Sequence, residues 1–233
     1  MSENSNSTRK KVKRIRILLV DDHPMVRERL TEVINREPDL VVCAEAEDRS
    51  EAIETIKARQ PKLVIVDLTL RNSDGVELIK DIHSRWPGLL MLVVSMHDES
   101  LYAERVLRAG ARGYITKQEA TRSILCAIRR VLDGQIFLSE PVASQILSRL
   151  ANAGPNQAAE PIDSLAEREL QVFELTGRGL NTRQIASQLH IGVKTVETYR
   201  HRICEKLKLD HPRELLRSAI AWTHQEQKQP HFL

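Results

Sequence analysis

The sequence predicts an α/β chain, a doubly wound, five-stranded parallel sheet followed by an all-α domain. Three observations predict it. Short apolar runs alternate with helical stripes from Ile15 to Asp133, a small, polar, proline-bearing stretch interrupts the chain at 151–161, and only helical periodicity follows from Asp163.

The elements follow in order. IRILLV (15–20) is an apolar run of the kind buried on both faces of a parallel sheet. Pro24 suits a first helical turn, and Val26, Leu30, Val33 and Ile34 form the apolar stripe behind it. LVVCAEA (40–46) reads as the second strand, and Asp48 or Ser50 can cap a helix with Ala52, Ile53 and Ile56 inward. LVIVD (63–67) is a third strand ending on an aspartate, and Gly75 opens a helix over 76–86. LLMLVVS (89–95) is the fourth strand, and a helix over 101–109 stops at Gly110. Tyr114–Thr116 is a short fifth strand, followed by a helix over 119–132. Residues 135–162 read as a linker with one helix, Ser139–Leu150, carrying Val142, Ile146 and Leu150. The domains expected are therefore 14–134 and 163–224 on either side of that linker.

Composition sets limits on function. In 233 residues, 41% hydrophobic and 29% charged content fits a globular chain, while 3% aromatics leave the core to aliphatic side chains. A net charge of +3 is too small to indicate a nucleic-acid partner unless the charge is concentrated. Cys43, Cys126 and Cys204 are widely spaced and lack metal-ligand spacing, so free thiols in a reducing compartment are expected. The polar, basic start reads as a disordered lead-in over 1–13 rather than a signal peptide, and no apolar run reaches the roughly 18 residues of a membrane helix. The sequence thus predicts a cytoplasmic protein without a membrane partner.

In parallel sheets, ligand sites lie beyond the carboxyl ends of the strands. Asp21, Asp22, Asp67, Ser95 and Lys117 all follow strands. Three converging carboxylates raise one another's pKa unless a cation intervenes, and Mg²⁺ is the natural hard ion for such oxygens. Lys117 supplies a further positive charge, and Ser95 a hydroxyl donor. A carboxylate held beside Mg²⁺ and a lysine can attack phosphorus and form an acyl phosphate.

The motifs VDDHPMVR (20–27), VDLTLRNSDG (66–75), VVSMHDE (93–99) and AGARGYITK (109–117) resemble, in order and spacing, the receiver domain of two-component response regulators. The resemblance implies a flavodoxin-like sheet over about 14–134, with Asp67 as phosphoacceptor. It implies that Asp22 ligates Mg²⁺ directly, Asp21 through water, and Thr69 through its backbone carbonyl. Ser95 and Tyr114 match the switch hydroxyl and switch aromatic, with Tyr114 expected to turn inward on phosphorylation. One departure is Arg71, where the family often has proline; Asp74-Gly75 can still bend that turn.

In the C-terminal part, Ser164 with Glu167 reads as a capping box for the helix that Gly177 and Gly179 end. Asn181 or Thr182 caps a short helix with Ile185, Ala186 and Leu189 inward, a turn follows at 190–192, and a longer helix spans Val193–Leu207. Pro212 opens a last helix, Arg213–Trp222. Helix, tight turn and second helix form a helix-turn-helix whose second helix enters the major groove. Between 178 and 208, seven basic residues face only Glu197 and Glu205. Lys194, Thr195, Tyr199 and Arg202, with Lys206, suit phosphate contacts, while Glu197, Thr198 and His201 can read base edges. Val196 and Ile203 are expected to pack inward.

LAEREL (165–170), GRGLNTRQIASQL (177–189) and IGVKTVETYRHRICEKL (191–207) resemble the LuxR/NarL-type DNA-binding domain. The resemblance implies four helices, with the last one used for dimerisation. Gly192 stands where a serine cap is usual and Ala166 where threonine or proline is common.

Together these readings predict a phosphorylation-controlled transcriptional regulator, not an enzyme beyond self-phosphorylation and autodephosphorylation. Its expected partners are a sensor histidine kinase, double-stranded promoter DNA, a second copy of itself and RNA polymerase. The unphosphorylated state is expected to hide the 193–207 helix against the receiver. A phosphorylation-independent DNA binder is the rival reading, countered by the complete set of pocket residues. A Mg²⁺-dependent phosphohydrolase is disfavoured because Thr69 stands where such enzymes carry a second Asp. RNA binding lacks exposed aromatics.

Overall fold

The computed structural model describes residues 14–71, 73–152 and 161–227. The lead-in expected over 1–13, and 153–160 of the linker, lie outside them.

The first part of the chain alternates strand and helix. It runs β1 (Ile15–Val20), α1 (Pro24–Asn35), β2 (Leu40–Ala46), α2 (Arg49–Arg59) and β3 (Leu63–Val66). A short antiparallel hairpin follows, β4 (Thr69–Leu70) and β5 (Ser73–Asp74), and then α3 (Gly75–Arg85), β6 (Leu90–Ser95), α4 (Glu99–Ala109), β7 (Gly113–Thr116) and α5 (Lys117–Leu132). The sheet is all parallel, in the order β2-β1-β3-β6-β7. The chain winds outward from β1 to β2, then returns past β1 to build β3, β6 and β7. The winding therefore reverses between β1 and β3, which leaves a crevice at their carboxyl ends.

Alternation within each strand divides the core. Leu18, Val20, Val64, Val66, Met91 and Val93 face Ile53, Ile79 and Val106 of α2, α3 and α4. Ile17, Leu19, Leu63, Ile65, Leu92 and Val94 face Leu30 and Ile34 of α1 and Ile124 and Ile128 of α5. Each fully buried aliphatic side chain of this kind stabilises the fold by about 1.5–3 kcal/mol.

Polar residues set the helix starts. The Asp48 carboxylate accepts from Glu51 N, Asp74 from Val76 N, Asp98 from Ser100 N, and Thr116 Oγ1 from Glu119 N. Asp98 and Thr116 start α4 and α5 two residues earlier than the periodicity predicts. At the end of α4, Gly110 takes a left-handed φ of 114°. Gly75 is required by space: a Cβ there would lie 2.1 Å from the backbone oxygen of Asp67. Gly75→Ala is expected to destabilise the protein by about 1–3 kcal/mol. That loss would lower the urea midpoint at unchanged slope, and an unchanged midpoint would contradict the close approach.

The hairpin β4–β5 was not foreseen from sequence. It supplies the bend without the usual proline, and Arg71 at its tip points to Glu47, 3.4 Å away.

After α5 the chain forms α6 (Glu140–Asn152), tied at its start by the Glu99 carboxylate, which accepts from Ser139 N at 2.8 Å. The helical part comprises a 3-10 turn (Pro161–Ser164), α7 (Glu167–Gly177), α8 (Thr182–Gln188), α9 (Val193–Leu207) and α10 (Pro212–Gln227). Its core gathers Leu170, Phe173, Ile185, Val196, Ile203, Leu215 and Ala219, so Val196 and Ile203 do pack inward. The expected cap of α7 is corrected: the N-cap is Ala166, with Glu169 accepting from its backbone N–H, while Ser164 Oγ instead donates to Pro161 O. The cap of α8 is Asn181, paired reciprocally with Gln184.

Candidate functional site

The turn after β1 delivers Asp21 and Asp22 to the crevice, and β3 delivers Asp67 beside them. The Lys117 ammonium, at the first position of α5, donates to Asp21 Oδ2 at 2.7 Å and to Asp67 Oδ2 at 2.8 Å. Arg27 sets the turn itself: its guanidinium donates to the Asp21 carbonyl at 2.6 Å and is held by Glu45 and Glu47. Sequence reading passed over Arg27, although its place one helical turn after the Asp pair was a signal.

The carboxylates are not equally engaged. Asp21 accepts from Lys117 and, at 2.8 Å, from the backbone N–H of His23. Asp22 Oδ1 and Asp67 Oδ1 are buried without a hydrogen-bond partner. Burial lifts the Asp67 carboxyl above the ordinary range; Lys117 opposes this lift, Asp21 adds to it, and a hydrogen bond from Ser95 opposes it. Burial works against the Lys117 ammonium, but the charges of Asp67 and Asp21 carry its pKa above the usual value. Two buried, unmet carboxylate oxygens in one pocket fit a hard divalent cation. The donor set of Asp21, Asp22 and Asp67 therefore suits Mg²⁺, with Asp22 and Asp67 offering the open positions. His23 joins this group: ligand atoms of all four residues lie within 4.8 Å of one another.

His97 links the pocket to the second half of the chain. Ser95 is fully buried, and its Oγ accepts from His97 N at 3.4 Å. Tyr114 Oη donates to His97 O at 2.9 Å, and Thr69 Oγ1 lies 3.0 Å from His97 Nε2. The Tyr114 ring is fully buried. That is the inward orientation expected of a switch aromatic.

The His97 ring also packs on Tyr102, with centroids 4.8 Å apart, and its Nδ1 lies 3.7 Å from Glu174 Oε2 on α7. Tyr102 Oη donates to that oxygen at 3.2 Å, and Arg178 meets the other at 2.5 Å, so the 2%-exposed Glu174 carboxylate is fully partnered. Arg105 of α4 donates to Ile162 O and Leu165 O, each at 2.9 Å. Arg168 of α7 reaches the hairpin beyond Asp67, donating to Ser73 O at 2.5 Å and Leu70 O at 3.3 Å.

The receiver-like half therefore docks on α7 and the turn before it. The expectation that it hides α9 is corrected. Lys194, Thr195, Glu197, Thr198, His201 and Arg202 are exposed, and Tyr199 is half-buried. Lys206 is also exposed, but its ammonium is engaged within the helical domain by Glu169 at 2.6 Å and Ser164 O at 3.1 Å. Docking falls on α7 because its buried Arg168 and Glu174 find partners there, whereas the outer face of α9 carries mostly unpaired polar groups. Gly192 caps α9 through its backbone alone.

Comparison with known proteins gives two family matches. Residues 17–129 match the response regulator receiver domain, and residues 163–219 match the bacterial regulatory proteins of the luxR family. The chain is 36% identical over 195 residues to the transcriptional regulatory protein LiaR of Bacillus subtilis, spanning 83% of this chain and 90% of that one. It is 32% identical to the response regulator GacA of Pseudomonas aeruginosa over 206 residues, 88% of this chain and 95% of the other. Among solved structures, a two-component response regulator of the LuxR family from Aurantimonas sp. aligns at 35% identity and a TM-score of 0.55, covering 60% of this chain and all of that one. RcsB of Salmonella enterica serovar Typhimurium, solved bound to promoter rprA, aligns at 23% identity and a TM-score of 0.56 over 88% of this chain and 98% of its own, a likeness of fold.

Proposed function

The chain belongs to the two-component response regulators with a LuxR-type DNA-binding domain, and on that premise we propose that Asp67 is its phosphoacceptor and α9 its reading helix. We assign residues 14–134 to the receiver, 135–162 to the linker and 163–224 to the DNA-binding domain. One observation carries the reading: the buried, unpartnered Asp67 Oδ1 stands in a pocket of acids held by Lys117.

Asp67 supplies the attacking oxygen to the phosphorus of a histidine kinase's phosphohistidine or of a small acyl phosphate. A P–O bond to Asp67 forms, the bond from phosphorus to the donor breaks, and the donor leaves. Lys117 neutralises charge on the phosphoryl oxygens, and Ser95 donates a hydrogen bond to one of them. Asp22, Asp67 and the Thr69 carbonyl would hold Mg²⁺ directly and Asp21 through water; the ion supplies charge neutralisation when bound. Hydrolysis of the acyl phosphate resets the pocket, which is the extent of the catalysis assigned to this chain.

Phosphorylation adds up to about two negative charges beside Ser95 and Thr69. Both touch His97, which supports a path from the pocket through His97, Tyr102 and Glu174 to α7. Tyr114, bonded to His97 O, serves as a switch aromatic that holds that segment when turned inward. Undocked α7 leaves the helical domain free to pair. Leu216 and Ile220, exposed one turn apart on α10, suit a homodimer contact. Dimers would read half-sites about one helical turn apart. No helix among the described residues is long and apolar enough to cross a membrane; a cytoplasmic regulator that meets a sensor kinase, promoter DNA and RNA polymerase is the reading we adopt.

Sequencing the duplex fragments retained with and without Mg²⁺ and acetyl phosphate tests the whole reading. A defined operator whose enrichment rises with the phosphodonor is the expected result, and identical fragment pools in both arms would sink it. On such an operator, Lys194→Ala is expected to weaken binding to all sequences alike and to reduce the salt slope by about 0.9. Thr198→Ala should instead alter preference at one base pair, by about 1–3 kcal/mol. Filter binding across a salt series separates the two, and a Lys194 variant with an unchanged slope would remove α9 from the interface.

A further inference from the structure

We propose that His23 is a fourth metal ligand of the acidic pocket, and that its imidazole extends the pocket's choice from Mg²⁺ to borderline divalent ions such as Co²⁺. This rests on the phosphoacceptor reading of the same pocket.

His23 is placed against the carboxylates of the pocket and not against its own helix. It is the N-cap of α1, yet its side chain makes no capping bond. Its backbone N–H is fixed to Asp21 Oδ1 at 2.8 Å, which aims the ring across the mouth of the pocket. There Nδ1 lies 2.7 Å from Asp22 Oδ1 and 3.2 Å from Asp21 Oδ1. Asp22 Oδ1 nevertheless has no well-formed hydrogen bond, and neither has the deeper Asp67 Oδ1. The Asp22 and Asp67 carboxylate oxygens and one imidazole nitrogen thus converge on one volume. The ring is about half exposed, so an ion can arrive from solvent past it.

Ligand chemistry then sets the preference. Mg²⁺ takes oxygen ligands, keeps several waters and gains little from an imidazole. First-row transition ions bind imidazole well, with affinity rising from Mn²⁺ to Co²⁺. A pocket of Asp21, Asp22 and Asp67 alone is a hard site, and His23 makes it a mixed one.

The test is calorimetric titration of the full chain with Mg²⁺ and, separately, Co²⁺, with the visible spectrum of bound Co²⁺ recorded alongside. Wild type, His23→Ala and His23→Gln are compared, and binding that disappears in Asp67→Asn is assigned to the pocket. Loss of His23 is expected to weaken Co²⁺ by about tenfold or more and to change its spectrum, while Mg²⁺ affinity stays within about twofold. If both ions tighten, His23 is a positive charge standing in for the cation and the proposal fails. Equal weakening of both, or no change in either, overturns it as well. Absence of Mg²⁺ binding to wild type would instead overturn the phosphoacceptor reading. The unfolding midpoints of both variants, measured on the same samples, separate a loss of folding from a loss of ligation.

Discussion

Asp67→Asn is expected to take up no phosphoryl group from acetyl phosphate and Mg²⁺ under conditions that label the wild-type chain, as read by intact mass. The carboxamide occupies the same volume but lacks the anionic oxygen that attacks phosphorus. It also removes the excess negative charge that burial leaves unmet on Oδ1. The variant should therefore fold at least as well as wild type, so loss of labelling would report chemistry and not damage. Lys117→Ala should retain the nucleophile but slow labelling by about 10²–10³-fold, the usual cost of removing one donor aimed at developing charge. Its unfolding midpoint must be followed too, because Lys117 is the cation that joins two buried carboxylates. Mass gain in Asp67→Asn equal to that of wild type would place the phosphoacceptor elsewhere.

Arg168→Ala is expected to undock the two halves. Its guanidinium is 9% exposed and bonds two carbonyls of the hairpin as well as Gln171. Hydrogen bonds from a charged donor contribute about 1.5–3 kcal/mol each. Losing even one of them moves the balance of docked and free forms by about tenfold or more. Amide exchange along α7 should accelerate, and the radius of gyration should rise, while the receiver sheet keeps its protection. Arg168→Lys, which keeps the charge but loses the fork, should fall between. If exchange along α7 is unchanged, docking does not depend on Arg168.

The sequence made the crevice legible because its chemistry is written at strand ends. Asp21, Asp22, Asp67, Ser95 and Lys117 each follow an apolar run, and the parallel topology brings those ends together. Asn181 with Gln184 was equally legible, since a cap needs only local spacing. Ser164 misled for the same reason: its spacing fits a cap, but the 3-10 turn claims its hydroxyl and Ala166 starts the helix through backbone geometry. The docking surface left no local trace. Arg168 and Glu174 sit among polar residues of an amphipathic helix, and only the fold shows that one meets Ser73 O and the other Tyr102, 72 positions away. His97 and His23 were passed over because a lone histidine beside a motif carries little information until its neighbours in space are known.

The hairpin Thr69–Asp74 serves two masters. Its first residue lies two positions beyond Asp67, the proposed phosphoacceptor, and its last strand offers the carbonyl that Arg168 grips. Coupling between two such uses is reciprocal by thermodynamic necessity. Whatever factor the acyl phosphate contributes toward freeing α7, an operator that captures the freed domain returns to the acyl phosphate. On the proposed reading, the promoter would act as an effector of its own regulator, shifting the phosphorylation equilibrium of the molecules that sit on it toward the charged state.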